Sequence, residues 1–180
     1  ASSARASPYR ASEAKGRVKD IRIETERLVM VPADMSWRDD MLRMFNEPDV
    51  ADWLFLTGPP TRDELTKRIE VHEAFWREHG FGLFAVIEKS TGRFVARVGP
   101  MPTMGPGLAE VAWSTVSEAW GKGYASEAAL ASMKFTFARS PVETLSCFLR
   151  PDNTASRRVA EKIGFRYHDT RFLYGRPLRY

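Results

Sequence analysis

The chain holds one cysteine, Cys147, and three histidines. A lone cysteine excludes an internal disulfide and a zinc knuckle built on paired cysteines, and it points to a reducing compartment, so a cytoplasmic location is expected. His72 and His79 lie seven residues apart on one predicted helix, about 10.5 Å along the axis at 1.5 Å per residue. They cannot share one metal ion. His168 has no partner in sequence, and no metal is expected. No run approaches the roughly 20 apolar residues of a membrane span, and no internal repeat is present. A strong charge surplus is also lacking: 27 basic residues face 23 acidic ones, a net +4. The first twenty residues hold five basic side chains against Glu13 and Asp20 and so account for +3 of it. The remainder is nearly neutral, which gives no footing for direct nucleic-acid binding. Monomer and homodimer are both compatible with this composition.

Hydrophobic content is ordinary at 43%, and 180 residues suffice for one sizeable core. Residues 1–19 are rich in Ala, Ser and Arg without apolar periodicity. They read as a flexible basic tail or a cloning remnant, leaving 20–180 as a single domain. Ile21 to Val31 alternates and then turns apolar, the pattern of a first strand. Asp34 opens a helix with Trp37, Met41, Met44 and Phe45 on one stripe, which Asn46-Glu47-Pro48 ends. A short apolar piece, Val50 to Leu56, follows. Thr61 with Glu64 forms a capping box for a helix bearing Leu65, Ile69, His72, Phe75 and Trp76 on one side. Phe81 to Glu88 and Arg93 to Val98 form a hairpin across Lys89-Ser90-Thr91-Gly92. Pro100 to Gly107 reads as a loop, and Leu108 to Val116 as the third strand of a meander. Beyond the helix starting at Tyr124, Thr144 to Leu149 reads as a strand. Pro151-Asp152-Asn153 then starts a short helix with Ala155, Val159 and Ile163 inward. The end is β-prone, turning at Gly175-Arg176-Pro177. The order implies a mixed α/β layout around one sheet.

The most informative stretch is Glu118-Ala119-Trp120-Gly121-Lys122-Gly123-Tyr124-Ala125-Ser126-Glu127-Ala128. It joins the third strand to an alanine-rich helix through two glycines one residue apart. Glycine lets the backbone turn tightly and lets a ligand approach it closely. The following helix start offers unpaired N–H groups and partial positive charge. The segment is therefore expected to cradle a pyrophosphate.

Three pieces carry a resemblance to a known family: Glu24-Thr25-Glu26-Arg27-Leu28, the cradle with Glu127-Ala128, and the run from Pro151-Asp152-Asn153-Thr154-Ala155-Ser156 to Ile163-Gly164-Phe165. In this order they resemble the GCN5-related N-acetyltransferases (GNAT), and among these the RimJ/RimL-like branch. The resemblance implies the acyl-CoA N-acyltransferase fold, with a splayed, mixed and mostly antiparallel sheet flanked by helices. It also implies transfer of acetyl from acetyl-CoA to a primary amine, either a protein N-terminus or a small molecule, by direct attack in a ternary complex. Pantetheine would lie along the strand edge at Ser114 and Val116. The pyrophosphate would sit on Trp120, Gly121, Lys122, Gly123, Tyr124, Ala125 and Ser126, and Asn153 would contact the pantetheine.

Amine attack on a thioester requires a neutral amine, a donor for the developing oxyanion and a proton for the departing sulfur. Glu110, on the strand entering the cradle, is the candidate base; an outward residue of a half-solvated strand is the plainer reading. Ser156 is the candidate proton donor, because Ala160 occupies a position where many family members place a tyrosine; an ordinary first-turn serine is the alternative. That departure keeps open a catalytically weak CoA-binding sensor or scaffold. Glu118 stands where the wider family has glutamine or arginine. Arg97 stands where relatives tend to have glycine; it either reaches the acceptor cleft and favours a carboxylate-bearing substrate or lies in water at a strand edge. Trp53 and Phe55 fall where this branch walls its acceptor site. Cys147 and His72 read as core residues.

Overall fold

The computed structural model describes residues 18–105, 107–173 and 175–180; the tail expected at 1–19 lies outside these except for Val18 and Lys19, which with Asp20 form a 3-10 turn. Five antiparallel strands follow the chain order β1 (Ile23–Glu24), β2 (Leu28–Pro32), β3 (Phe84–Glu88), β4 (Phe94–Pro102) and β5 (Ala109–Thr115). Helices α1 (Arg38–Phe45), α2 (Pro48–Leu54) and α3 (Arg62–His79) fill the crossover between β2 and β3. After β5 come α4 (Tyr124–Arg139), α5 (Thr154–Lys162) and a separate hairpin of β6 (Thr170–Leu173) and β7 (Arg176–Arg179). The expected fold class holds: a mixed α/β chain with an antiparallel sheet flanked by helices.

The expected first strand is broken. Thr25 N donates to the Leu28 carbonyl at 3.0 Å, folding Thr25-Glu26-Arg27 into a turn between β1 and β2. The apolar piece after Pro48 is helical: proline at the first helical position loses no hydrogen bond and fixes a helical φ, so Pro48 starts α2 as well as ending α1. Pro100 and Pro102, expected in a loop, belong to β4. Val116 N donates to Val95 O, which sets the alternation of the β4–β5 ladder and turns both proline nitrogens away from β5. They face the side where β3 has ended, since its last pair is Phe84 with Val98. Such a position needs no N–H. The expected strand Thr144 to Leu149 forms only isolated bridges, one parallel between Ser146 and Glu110 and one antiparallel between Leu149 and Arg179. The segment thus departs from β5 after one bond, Val111 N to Ser146 O at 2.7 Å. Ala155 is exposed; the inward side of α5 is Ser156, Val159, Ala160 and Ile163.

Register assigns the sheet faces. Phe84, Val98 and Trp113 lie across from one another on one side, and Ala85, Arg97 and Ser114 on the other. Phe135 of α4 meets Phe84 edge-on at 5.6 Å, whereas the Arg97 guanidinium lies 5.1 Å from the Phe45 ring of α1. Helices therefore cover both faces, and one continuous core runs through Leu28, Met30, Ile69, Val86, Val98 and Ala128. Trp76, fully buried, closes the start of β3 by donating its indole N–H to Leu83 O at 2.7 Å.

Candidate active site

The predicted glycine turn forms at the end of β5. Ser117–Ala119 make a 3-10 turn whose first amide donates to a Glu47 carboxylate oxygen at 2.7 Å. Gly121 and Gly123 then take left-handed φ values of 75° and 81°. Helix α4 starts at once, with Gly123 as N-cap and no side chain capping it. A helix start with no cap leaves first-turn amides pointing at solvent, a ready anion site. Glu118 and Lys122 are both exposed. Trp120 is 44% exposed and anchors its indole N–H on Thr115 O at 3.2 Å. Tyr124 is buried, and its hydroxyl donates to the Glu88 carboxylate.

Two motifs a hundred residues apart in the chain meet here. Glu127, in the first turn of α4, accepts from the Thr25 hydroxyl at 2.5 Å and the Arg27 backbone amide at 3.0 Å. The Arg27 guanidinium completes the fork, with Nε at 2.8 Å and Nη2 at 2.7 Å from the carboxylate. Its Nη1 donates to Lys122 O at 2.8 Å, between the two glycines. The β1–β2 turn therefore holds the cradle in shape. Burial alone would raise the Glu127 carboxyl pKa, but the Thr25 and Arg27 hydrogen bonds and the guanidinium charge together hold it below its ordinary value. A depressed carboxyl pKa stabilises the fold above the unfolded carboxylate pKa, and that contribution disappears as pH falls through the folded value. Glu127→Gln is expected to weaken acetyl-CoA binding by about five- to tenfold at neutral pH and to flatten the acid-side decline of Tm. Titration calorimetry and thermal melts from pH 7 to pH 3 would check both; unchanged affinity would remove the tether from cofactor binding.

The edge of β5 opens where the 144–149 segment departs. The backbone groups of Ser114 face β4, and those of Val116 are engaged with Val95 and Ala119. These two residues, expected to meet pantetheine, thus present no free backbone at the edge. Alternation gives that place to Trp113 and to the Thr115 amide. The expectation was off by one residue, because periodicity does not say which half of a ladder faces its neighbour. Across the opening, Asn153 caps α5 by accepting from Ser156 N at 2.9 Å. The Ser156 hydroxyl accepts from the Trp113 indole at 3.3 Å, which leaves its own proton to donate. Ala160 is buried and brings no acid.

A cavity of about 700 Å³ follows this edge and continues under α2 and α3. Glu110 lies in its wall, 8% exposed, with Oε2 accepting from the Thr103 hydroxyl at 2.8 Å. Thr103 is in turn held by Gly105 N at 2.9 Å, so the Pro100 to Gly107 segment fixes the carboxylate. Trp53 and Phe55 form the opposite wall. Arg97 reaches the cavity too; burial, then the charge of Arg68, lowers its pKa to about 10, with Glu110 opposing. His72 lines this cavity instead of the core. Burial, then Arg97 and Arg68, push its pKa down to about 3, so the imidazole is neutral. Cys147 is buried and, first by burial and then by the Glu110 charge, pushed up to about 12, which makes it inert as a thiolate. Thr103, Arg68 and Arg176 also stand here without having been anticipated. Arg176 arrives from the terminal hairpin, 66 residues after Glu110, and no local pattern marks it.

Residues 27–166 match the family model described as the acetyltransferase (GNAT) domain. The uncharacterized protein YkkB of Bacillus subtilis (strain 168) is 28% identical over 137 residues, covering 75% of this chain and 78% of that protein. A putative GnaT-family acetyltransferase from Bordetella pertussis superposes with a TM-score of 0.78 at 23% identity, covering 88% of this chain and 96% of that one. A ribosomal-protein-S5-alanine acetyltransferase from Vibrio fischeri gives 0.71 at 20% identity, with 89% and 94% covered. The AAC(6')-Ib structure with ribostamycin and coenzyme A gives 0.70 at 14% identity, with 86% and 91% covered. At these identities the structural likenesses establish the fold alone.

Proposed function

The chain belongs to the GNAT acetyltransferases, and from that membership we propose that it moves acetyl from acetyl-CoA to a primary amine by direct attack in a ternary complex, as a RimJ/RimL-like member. The observation that carries the proposal is the placement, on one strand and its continuation, of a buried carboxylate, an open backbone edge and a cap-free glycine cradle. The ribosomal-protein acetyltransferase among the structural neighbours supports the branch, and the neighbour holding coenzyme A supports the donor.

When bound, acetyl-CoA supplies an activated thioester. The amides of Gly121 and of Gly123 to Ser126 would hold its pyrophosphate with the positive end of α4, the Lys122 amide being turned back to Ala119 O at 3.4 Å. The backbone edge at Trp113 and the Asn153 carboxamide would hold its amide-bearing arm. Glu110, nearly shielded from water and fixed by Thr103, accepts the proton that the incoming ammonium must lose. As the neutral amine forms its C–N bond to the acetyl carbonyl carbon, the C–S bond breaks; the Ser156 hydroxyl passes its proton to the departing sulfur and recovers one from the attacking nitrogen, leaving the acetylated amine and the free thiol. Thiol release from acetyl-CoA, followed with a panel of N-terminal peptides and small amines, tests the proposal. Turnover with a primary amine and none with its N-blocked form is expected. Tight acetyl-CoA binding with no turnover on any amine would instead favour a sensor.

A further inference from the structure

The cavity is unbalanced in charge. Four arginines, Arg68, Arg97, Arg150 and Arg176, line it against one carboxylate, Glu110. Arg150 is answered by Asp152 at 2.7 Å and by the Asp52 carbonyl at 2.8 Å. Among the described residues the other three make no salt bridge within 4.0 Å, although the Asp152 charge also acts on Arg176 and the Glu110 charge on Arg97. Arg97 Nε and Arg176 Nη1 are buried donors with no hydrogen-bond acceptor. Arg176 spends only Nη2, on Leu54 O at 2.8 Å, and Arg68 lies 5.7 Å from the Phe55 ring. His72 adds no charge and no competing carboxylate. Guanidinium groups aimed into a partly dry cavity match a planar anion, which they bind in a two-pronged geometry. The same field repels polycations.

We propose that the acceptor amine also carries a carboxylate, held by Arg97 with Arg68 while its amino group faces Glu110. This rests on the acetyl-transfer reading. It narrows the acceptor to amino-acid-like or acidic-peptide amines and excludes polyamines. Arg97 pairs with Ser114, and Glu110 lies four positions earlier on β5 with its side chain on the same face. The two Cα positions are therefore about 13 Å apart along the strand. The two side chains close part of that span, so acceptors of graded length should differ in fit.

The test uses the full chain saturated with coenzyme A. Calorimetry would compare β-alanine, γ-aminobutyrate and glutamate with their carboxamides, and a short Glu-bearing peptide with its Gln counterpart. At least one acid is expected to bind tenfold or more tightly than its amide, and the free amino acids against the peptides show which source the cavity accepts. Arg97→Met should erase that preference with coenzyme A affinity unchanged. Arg68→Gln, on an exposed position of α3, should weaken it severalfold and serves if Arg97→Met does not fold. Equal binding of acids and amides, no binding of any acid, or an Arg97→Met variant that keeps the acid preference would each overturn the proposal. Thiol release from acetyl-CoA, followed in separate reactions with the same amines and with a polyamine, separates the two readings. Acid preference without release refutes transfer alone, and release with polyamines as fast as with acids refutes the carboxylate alone.

Discussion

Gly123→Val is expected to abolish measurable acetyl-CoA binding, a loss of at least about 100-fold, in a protein that still unfolds cooperatively. A Cβ at this position would meet only the Arg27 guanidinium, at an ordinary contact distance of 3.5 Å, so the first carbon of the new side chain is not itself crowded. The cause is the backbone: φ is 81°, a left-handed value that a β-branched residue adopts only at a cost of about 1–3 kcal/mol. The chain relieves that strain by turning the peptide units on either side of residue 123, and the amides of Gly123, Tyr124 and Ala125 then cease to converge. Hydrogen bonds to a charged group are worth about 1.5–3 kcal/mol each, so losing two exceeds the 100-fold threshold. Calorimetric titration with acetyl-CoA, alongside circular dichroism, would decide it. Parent-like affinity would remove the glycine turn from cofactor binding.

Glu110→Gln should lower kcat by about 100-fold or more, the range assigned to a positioned general base. The carboxamide has the shape of the carboxylate and can still accept from Thr103, so folding and the KM for acetyl-CoA should hold. The pH profile is the sharper readout. Removing the base should change the pH dependence of kcat/KM, leaving the variant to follow the ionisation of the amine itself. Parent rates, or an unchanged pH profile, would exclude Glu110 as the base and leave a water relay. A merely structural role would move stability and leave the pH dependence alone.

Some of this was legible in the residues. The capping box at Thr61 and Glu64 appears as expected, because its partners are three residues apart and the reciprocal bonds are local. The same holds for Asn153 over Ser156, and for the glycine turn, where left-handed backbone demands a residue without a side chain. The misses have a common origin. Pro100 and Pro102 mark a loop by local rules and are strand residues here, because the neighbour whose bonds they would disrupt stops at Phe84. The Thr144 to Leu149 segment has strand composition and lacks strand pairing, since it leaves β5 after Ser146. Val116 was assigned to the open edge and bonds to Val95 instead.

By itself, then, the sequence determined the glycine turn, the capped helix beside it, and the family that three motifs identify. Each depends on interactions within a few residues or on backbone conformations that only certain residues adopt, so spacing alone carries them. The tertiary structure decided the rest. It tied Thr25 and Arg27 to Glu127, chose Trp113 over Ser114 and Val116 as the exposed backbone, and turned Glu110 toward a cavity shared with Arg68, Arg97 and Arg176. Those contacts join residues up to about a hundred positions apart. Strand register, the property that sets which face a side chain takes, is fixed only once neighbouring strands have paired.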